Sequence, residues 1–215
     1  MPATALPSYS LGEEIANSVT HGIGAVLAIA GLAVLTAFAA LNGNSAHVTS
    51  CAIFGAAMVL CYMTSTLYHA IPNERARPVM QALDHAAIFL LIAGTYTPFM
   101  LVTIGGTTGW AMLTLVWTLA ISGIVARLAL RGRRHNLIVA LYIIIGWTAV
   151  LIIEPLIASL STAGLALLVG GGIAYTVGVI FYKWESLRYG HAVWHGFVLT
   201  GSALHYFAIL FYVIP

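Results

Sequence analysis

Seven apolar runs follow one another along this chain, and every Lys and Arg falls in or beside alternate gaps between them. A helix needs about 20 apolar residues to cross the hydrocarbon core of a bilayer. The runs are Asn17–Leu41, Val48–His69, Asp84–Ile104, Trp110–Leu130, Asn136–Ile153, Ala163–Tyr182 and His191–Val213. Turn chemistry separates them at Asn42-Gly43-Asn44, Ile71-Pro72-Asn73, Gly105-Gly106 and Arg131-Gly132. The fifth run is the shortest, and Pro155 is expected to limit it. Only 7% of the 215 residues are charged, whereas a soluble domain carries about 25% and needs them to cover its surface. The predicted fold class is therefore all-α: an integral membrane bundle of seven transmembrane helices, one domain over residues 1–215. No cleaved signal peptide is expected, because no Lys or Arg precedes the first run and that run is too long.

The basic residues orient the bundle. Arg75 and Arg77 lie in the second gap, Arg127, Arg131, Arg133 and Arg134 around the fourth, and Lys183 and Arg188 in the sixth. With seven spans, these gaps share one side with the N-terminus. The positive-inside rule then predicts a cytoplasmic N-terminus, an outside C-terminus and residence in the cell's inner membrane. One helix more or fewer would spread the eight basic residues over both faces. The net charge of +2 is too small and scattered for a nucleic-acid partner.

Ionisable residues inside such spans are costly and point to function. Here they gather at one depth. His69 ends the second run, Asp84 and His85 begin the third, His191 and His195 begin the seventh, and Glu14, Asn17 and His21 open the first. His191 and His195 are four apart, so one helix face presents both imidazoles, and His69 can supply a third. Three imidazoles suit Zn²⁺ and leave its fourth position open. Ser65, one turn before His69, could donate a hydrogen bond to a water or an oxyanion there, and Asp84 could orient or deprotonate the water. An interfacial His pair that simply meets headgroups is the bland alternative; the matching depth of His69 and Asp84 argues against it.

Glu14, Asn17 and His21 form a stripe that orients a ligand or closes the cytoplasmic mouth. A helix start also explains Glu13 and Glu14, but not His21. His205 lies about 15 Å deeper than His195. It is expected to bond another helix or line a cavity. His47 and His135 read as surface residues, and Trp110, Trp117, Trp147, Trp184 and Trp194 mostly as interfacial anchors. Cys51 and Cys61 are about 15 Å apart along one helix, too far for a disulfide.

The segments Glu13-Glu14-x-x-Asn17-x-x-Thr20-His21, Ser65-x-x-x-His69, Asp84-His85 with Gly94-Thr95-Tyr96-Thr97-Pro98, and His191-x-x-x-His195 with His205 resemble hemolysin III proteins. These form the bacterial branch of the progestin and adipoQ receptor family, which includes the adiponectin receptors. The resemblance covers nearly the whole chain. It implies a seven-helix bundle with a cytoplasmic N-terminus. It also implies zinc held by His69, His191 and His195, with Ser65 and Asp84 around it. Relatives are linked to ceramide hydrolysis, and the family name to cell lysis. No long N-terminal domain is seen here, so a hormone-receptor role is not expected.

Three functions compete. The first is a zinc-dependent hydrolase acting on a lipid amide that enters between helices. The second is a non-enzymatic membrane sensor or regulator in which zinc pins the second and seventh spans together. The third is a membrane-lysing protein, for which the spans offer no continuous polar stripe. A retinal protein is excluded because the one lysine, Lys183, lies at a loop edge.

Overall fold

The computed structural model describes residues 9–130 and 134–215. Seven of its helical segments are long and apolar enough to cross a membrane, and the described residues contain no strand. In order they are α1 (Leu11–Asn42), α2 (Ser45–Ala70), α3 (Arg77–Pro98), α4 (Gly106–Ala129), α5 (His135–Gly146) with α6 (Ile153–Ser159), α7 (Thr162–Lys183) and α8 (Gly190–Tyr212). Large apolar side chains such as Leu27, Ile29, Phe38, Leu151 and Phe211 face outward, as expected where lipid is the solvent. Phe54, Phe89, Phe99, Leu35 and Ile209 fill the centre. Neighbours in sequence pack side by side, and α8 returns against α1 to close the bundle.

The helix starts follow from side-chain capping. Ser10 and Glu13 form a capping box on α1, and Asn44 and His47 do the same for α2. His47 is thus a capping residue. The Asn73 side chain accepts from the amides of Arg75 and Ala76, and α3 begins at Arg77 with Pro78 in its first turn, where the missing N–H costs nothing. The onset expected at Asp84 lies about two turns too late. Hydropathy alone could not place it, because Arg77 and Gln81 belong to a helix but not to an apolar run.

Two spans are irregular. After Pro98 the third continues as a π-helical stretch, Phe99–Ile104. It ends at Gly105 and Gly106, whose φ values of 60° and 53° suit glycine. The fifth is broken by a 3-10 turn, Thr148–Ile152, and resumes through Pro155 to Ser159. Pro155 was expected to end the span. It sits instead in the first turn of α6, where proline is tolerated. The carbonyls freed at the break are taken by Tyr96 of α3, whose hydroxyl donates to Gly146 O at 2.7 Å and also meets Ile145 O at 3.2 Å.

The basic side chains among the described residues gather at one end. Arg77 pairs with Glu14, Arg127 donates to His85 and Gln81, and Lys183 donates to Asn136. Arg131 and Arg133 lie outside the described residues.

Candidate metal centre

The last turn of α2 and the first turns of α8 meet at that end. They bring His69, His191 and His195 together, with one ligand nitrogen from each lying within 4.8 Å of the others. His69 and His195 are buried and His191 is half-buried. His69 Nε2 and His191 Nε2 stand 3.2 Å apart. Two nitrogens on one tetrahedral ion with bonds of about 2.0–2.1 Å would stand about 3.3 Å apart.

Each imidazole is held by its other nitrogen. His69 Nδ1 lies 2.6 Å from Glu14 Oε2, and Arg77 clamps the same carboxylate. His195 Nδ1 lies 3.1 Å from the carbonyl of Asn17. A carboxylate and a carbonyl only accept, so both Nδ1 atoms carry a proton, and in the neutral ring this leaves the lone pair on Nε2. His191 Nδ1 lies 3.2 Å from the Tyr9 hydroxyl, which accepts when Nδ1 carries the proton. Burial pushes the Tyr9 phenol above the ordinary tyrosine range, and the acids Glu13, Glu14 and Asp84 add to it, so Tyr9 stays neutral. Hydrogen-bonded imidazoles of fixed tautomer are the usual arrangement around a bound metal. The donor set fits a metal on this ground.

A cavity runs from the cluster into the bundle. His21, Ser65, Asp84, His85, His191 and His195 line its polar end. Leu91, Ile92, Val139, Val179 and Val198 line the apolar remainder, which reaches His205. Asp84 is outside the three-residue group of ligand reach but faces the same space. Ser65 Oγ is buried there without a hydrogen-bond partner. His205 Nε2 donates to the Leu168 carbonyl, 3.0 Å away on α7, and Gly171 makes room for its ring. His85 accepts from Arg127 at 2.9 Å.

Several roles were not visible in the sequence. Tyr9 and Arg77 lie 182 and 63 residues from the groups they hold, and no spacing rule links such positions. His135 was expected in a surface loop; it is half-buried in α5, its ring 5.9 Å from that of His85 and 5.4 Å from that of Tyr182. Trp147 and Trp194 wall the cavity and Trp117 donates to Thr97, so these three are not simple interfacial anchors.

Fold and site together define a multi-pass helical membrane protein with a buried histidine triad in reach of one metal ion. The haemolysin-III related family model matches residues 9–206, a stretch that begins at Tyr9 and takes in every site residue through His205. The chain belongs to this family. It is 47% identical to Hemolysin-3 of Bacillus cereus over 203 residues, 94% of this chain and 93% of that protein. It is 46% identical to the Hemolysin-3 homolog of Bacillus subtilis (strain 168), over 96% of this chain and 97% of the relative. The human monocyte to macrophage differentiation factor is a more distant relative, 28% identical over 94% of this chain and 84% of its own length.

Proposed function

We propose that the protein is a zinc-dependent hydrolase of lipid amides, seated in the inner membrane with its N-terminus and metal centre on the cytoplasmic side. One observation carries this reading: three imidazoles, two of them oriented by acceptor-only partners, sit at the end of an apolar cavity that also holds a carboxylate and an unpartnered hydroxyl. His69, His191 and His195 would hold the ion through Nε2. Zinc supplies Lewis acidity, which polarises a carbonyl and brings the pKa of water to about 7.

The protein's own groups do the rest. The apolar lining takes the acyl chain and excludes bulk water. Trp147 both lines the cavity and is 36% exposed at the outer surface, so a lipid chain can pass beside it from the bilayer. Asp84 takes a proton from the attacking water as oxygen bonds to the amide carbon. Ser65 donates a hydrogen bond to the carbonyl oxygen as negative charge builds there. The C–N bond then breaks, and Asp84 returns the proton to the departing amine nitrogen, leaving a fatty acid and an amine.

The experiment is release of fatty acid from a panel of lipid amides by purified, zinc-loaded protein. Turnover that vanishes in Asp84→Ala supports the reading. No turnover above a metal-free control across the panel overturns it.

A second reading has its own support. Tyr9, Glu14 and Arg77 tie α1, α2, α3 and the start of α8 around the triad, so a metal there would brace the bundle as a membrane sensor or regulator. Chelation that unfolds a protein incapable of any turnover would select it.

A further inference from the structure

Each imidazole of the triad is packed by a ring that belongs to a span. His21 of α1 stacks on His195, ring centroids 3.5 Å apart and planes 10° from parallel. Tyr68 of α2 lies 4.6 Å from His69, and Tyr182 of α7 lies 5.6 Å from His191. Moving any of these three rings far means moving a membrane helix. Tyr9 is different. It precedes Ser10, the N-cap of α1, whose backbone is extended. Its ring packs on two imidazoles at once, 5.2 Å from that of His191 and 5.8 Å from that of His69. Tyr9 thus bridges the last turn of α2 and the first turn of α8 without being part of either.

Glu13 holds this residue in place. Its Oε2 accepts from Ser10 N at 3.0 Å and from Ser10 Oγ at 2.7 Å, which fixes the neighbour of Tyr9. Its Oε1 accepts from the Tyr189 amide at 3.2 Å. Tyr189 is the N-cap of α8, in the left-handed region with φ 60°. One carboxylate therefore ties the start of α1 to the start of the helix that carries His191 and His195. The approach is close, because a Cβ at Gly12 would fall 3.0 Å from the Tyr189 hydroxyl. All three bonds of Glu13 are exposed, so water can replace them at little cost.

We propose that Tyr9–Glu13 is a strap, with the Tyr9 ring as its lid, that sets how fast the metal centre captures and releases its ion. The strap opens when water replaces the bonds of Glu13 and Tyr9 swings outward about Ser10, while the spans stay in place. A lid that closes equally over a filled and an empty site slows both directions by one factor and leaves Kd unchanged. The ring of Tyr9 thus acts on rate, whereas its hydroxyl acts on affinity through His191. The inference concerns the ion alone and holds whether that ion is catalytic or structural.

The test compares exchange rates in purified, zinc-loaded protein. Release is followed as zinc passes to an excess of chromophoric chelator, and Kd is measured by competition. The capture rate constant is the release rate constant divided by Kd. Tyr9→Phe keeps the ring and removes the hydroxyl; Tyr9→Ala removes both. The two variants should share one Kd, and Tyr9→Ala should release and capture zinc about tenfold faster than Tyr9→Phe. Glu13→Gln keeps Tyr9 but leaves one acceptor oxygen in place of two, and should speed both directions by a smaller factor. Equal exchange rates in Tyr9→Phe and Tyr9→Ala would overturn the proposal. So would faster release in Tyr9→Ala with unchanged capture, because the ring would then only anchor the histidines. A wild type without stoichiometric zinc would overturn it together with the metal assignment. A protein that shows the expected exchange pattern but hydrolyses no lipid amide would defeat the hydrolase reading and leave the strap standing.

Discussion

Glu14 Oε2 lies 2.6 Å from His69 Nδ1, joining the first turn of α1 to the last turn of α2. The helix dipole favours an acid at Glu14, but the cap itself is made by Ser10 and Glu13. Glu14 is thus free to fix an imidazole. Replacing it should loosen the metal without unfolding the protein. Partners of this kind are worth 10–100-fold in metal affinity. We expect a loss in that range for Glu14→Ala and a smaller one for Glu14→Gln, measured by competition with a chromophoric chelator. Unchanged affinity in Glu14→Ala would remove Glu14 from the site.

Metal analysis tests the triad itself. Purified protein should carry about one zinc per chain, and His191→Ala should carry almost none. Because an ion held by the triad would join α2 to α8, stripping it should also lower the melting temperature. Saturation at 100 times Kd stabilises a protein by about 2.7 kcal/mol. A wild-type protein with no stoichiometric metal, or a melting temperature indifferent to chelation, would count against this assignment.

Tyr9 offers a finer contrast. Its neutral hydroxyl is a weaker acceptor than a carboxylate, so Tyr9→Phe should weaken metal binding by less than Glu14→Ala does. The two affinities, measured side by side, should keep that order. The reverse order would show that His191, not His69, depends more on its anchor.

Gly171 tests the packing of α7 on α8. A Cβ built there would fall 2.3 Å from His205 Nε2. Gly171→Ala must therefore push the ring away from the Leu168 carbonyl or part the helices. Overpacking of this kind costs about 1–3 kcal/mol. A clear fall in melting temperature in detergent is expected, and wild-type stability would show that the ring moves freely.

Orientation can be read with single cysteines. Glu74→Cys, between α2 and α3, should be shielded from an impermeant thiol reagent in intact cells and react in inverted vesicles. Thr107→Cys, at the opposite end of the bundle, should do the reverse. The native Cys51 and Cys61 are buried and give a low background. The opposite labelling pattern would invert the topology proposed from the basic residues.

The seven spans and the meeting of His69, His191 and His195 were legible in the sequence, for physical reasons. Lipid demands long apolar runs, and helical spacing fixes which side chains share a face. The i, i+4 pair on α8 and the common depth of His69 needed no knowledge of which helices touch. Tyr9, Arg77 and the stacking of His21 on His195 depended on that knowledge. Pro155 was misread because a proline ends a helix only in its interior, and hydropathy does not reveal that a new helix starts at Ile153. The two turns of α3 before Asp84 carry no apolar signal, because their polar residues Arg77 and Gln81 interrupt the run.

The anchors of the triad have a consequence for how the protein is made. Tyr9, Glu14, Asn17 and His69 leave the ribosome well before the other two imidazoles of the triad, His191 and His195 on α8. Until α8 inserts, the growing chain holds one histidine of the triad, and Tyr9 and the Asn17 carbonyl have no imidazole to anchor. A metal ion shared by all three imidazoles would therefore be captured only after α8 has inserted, and a nascent chain stalled before Gly190 would lack two of the three histidines.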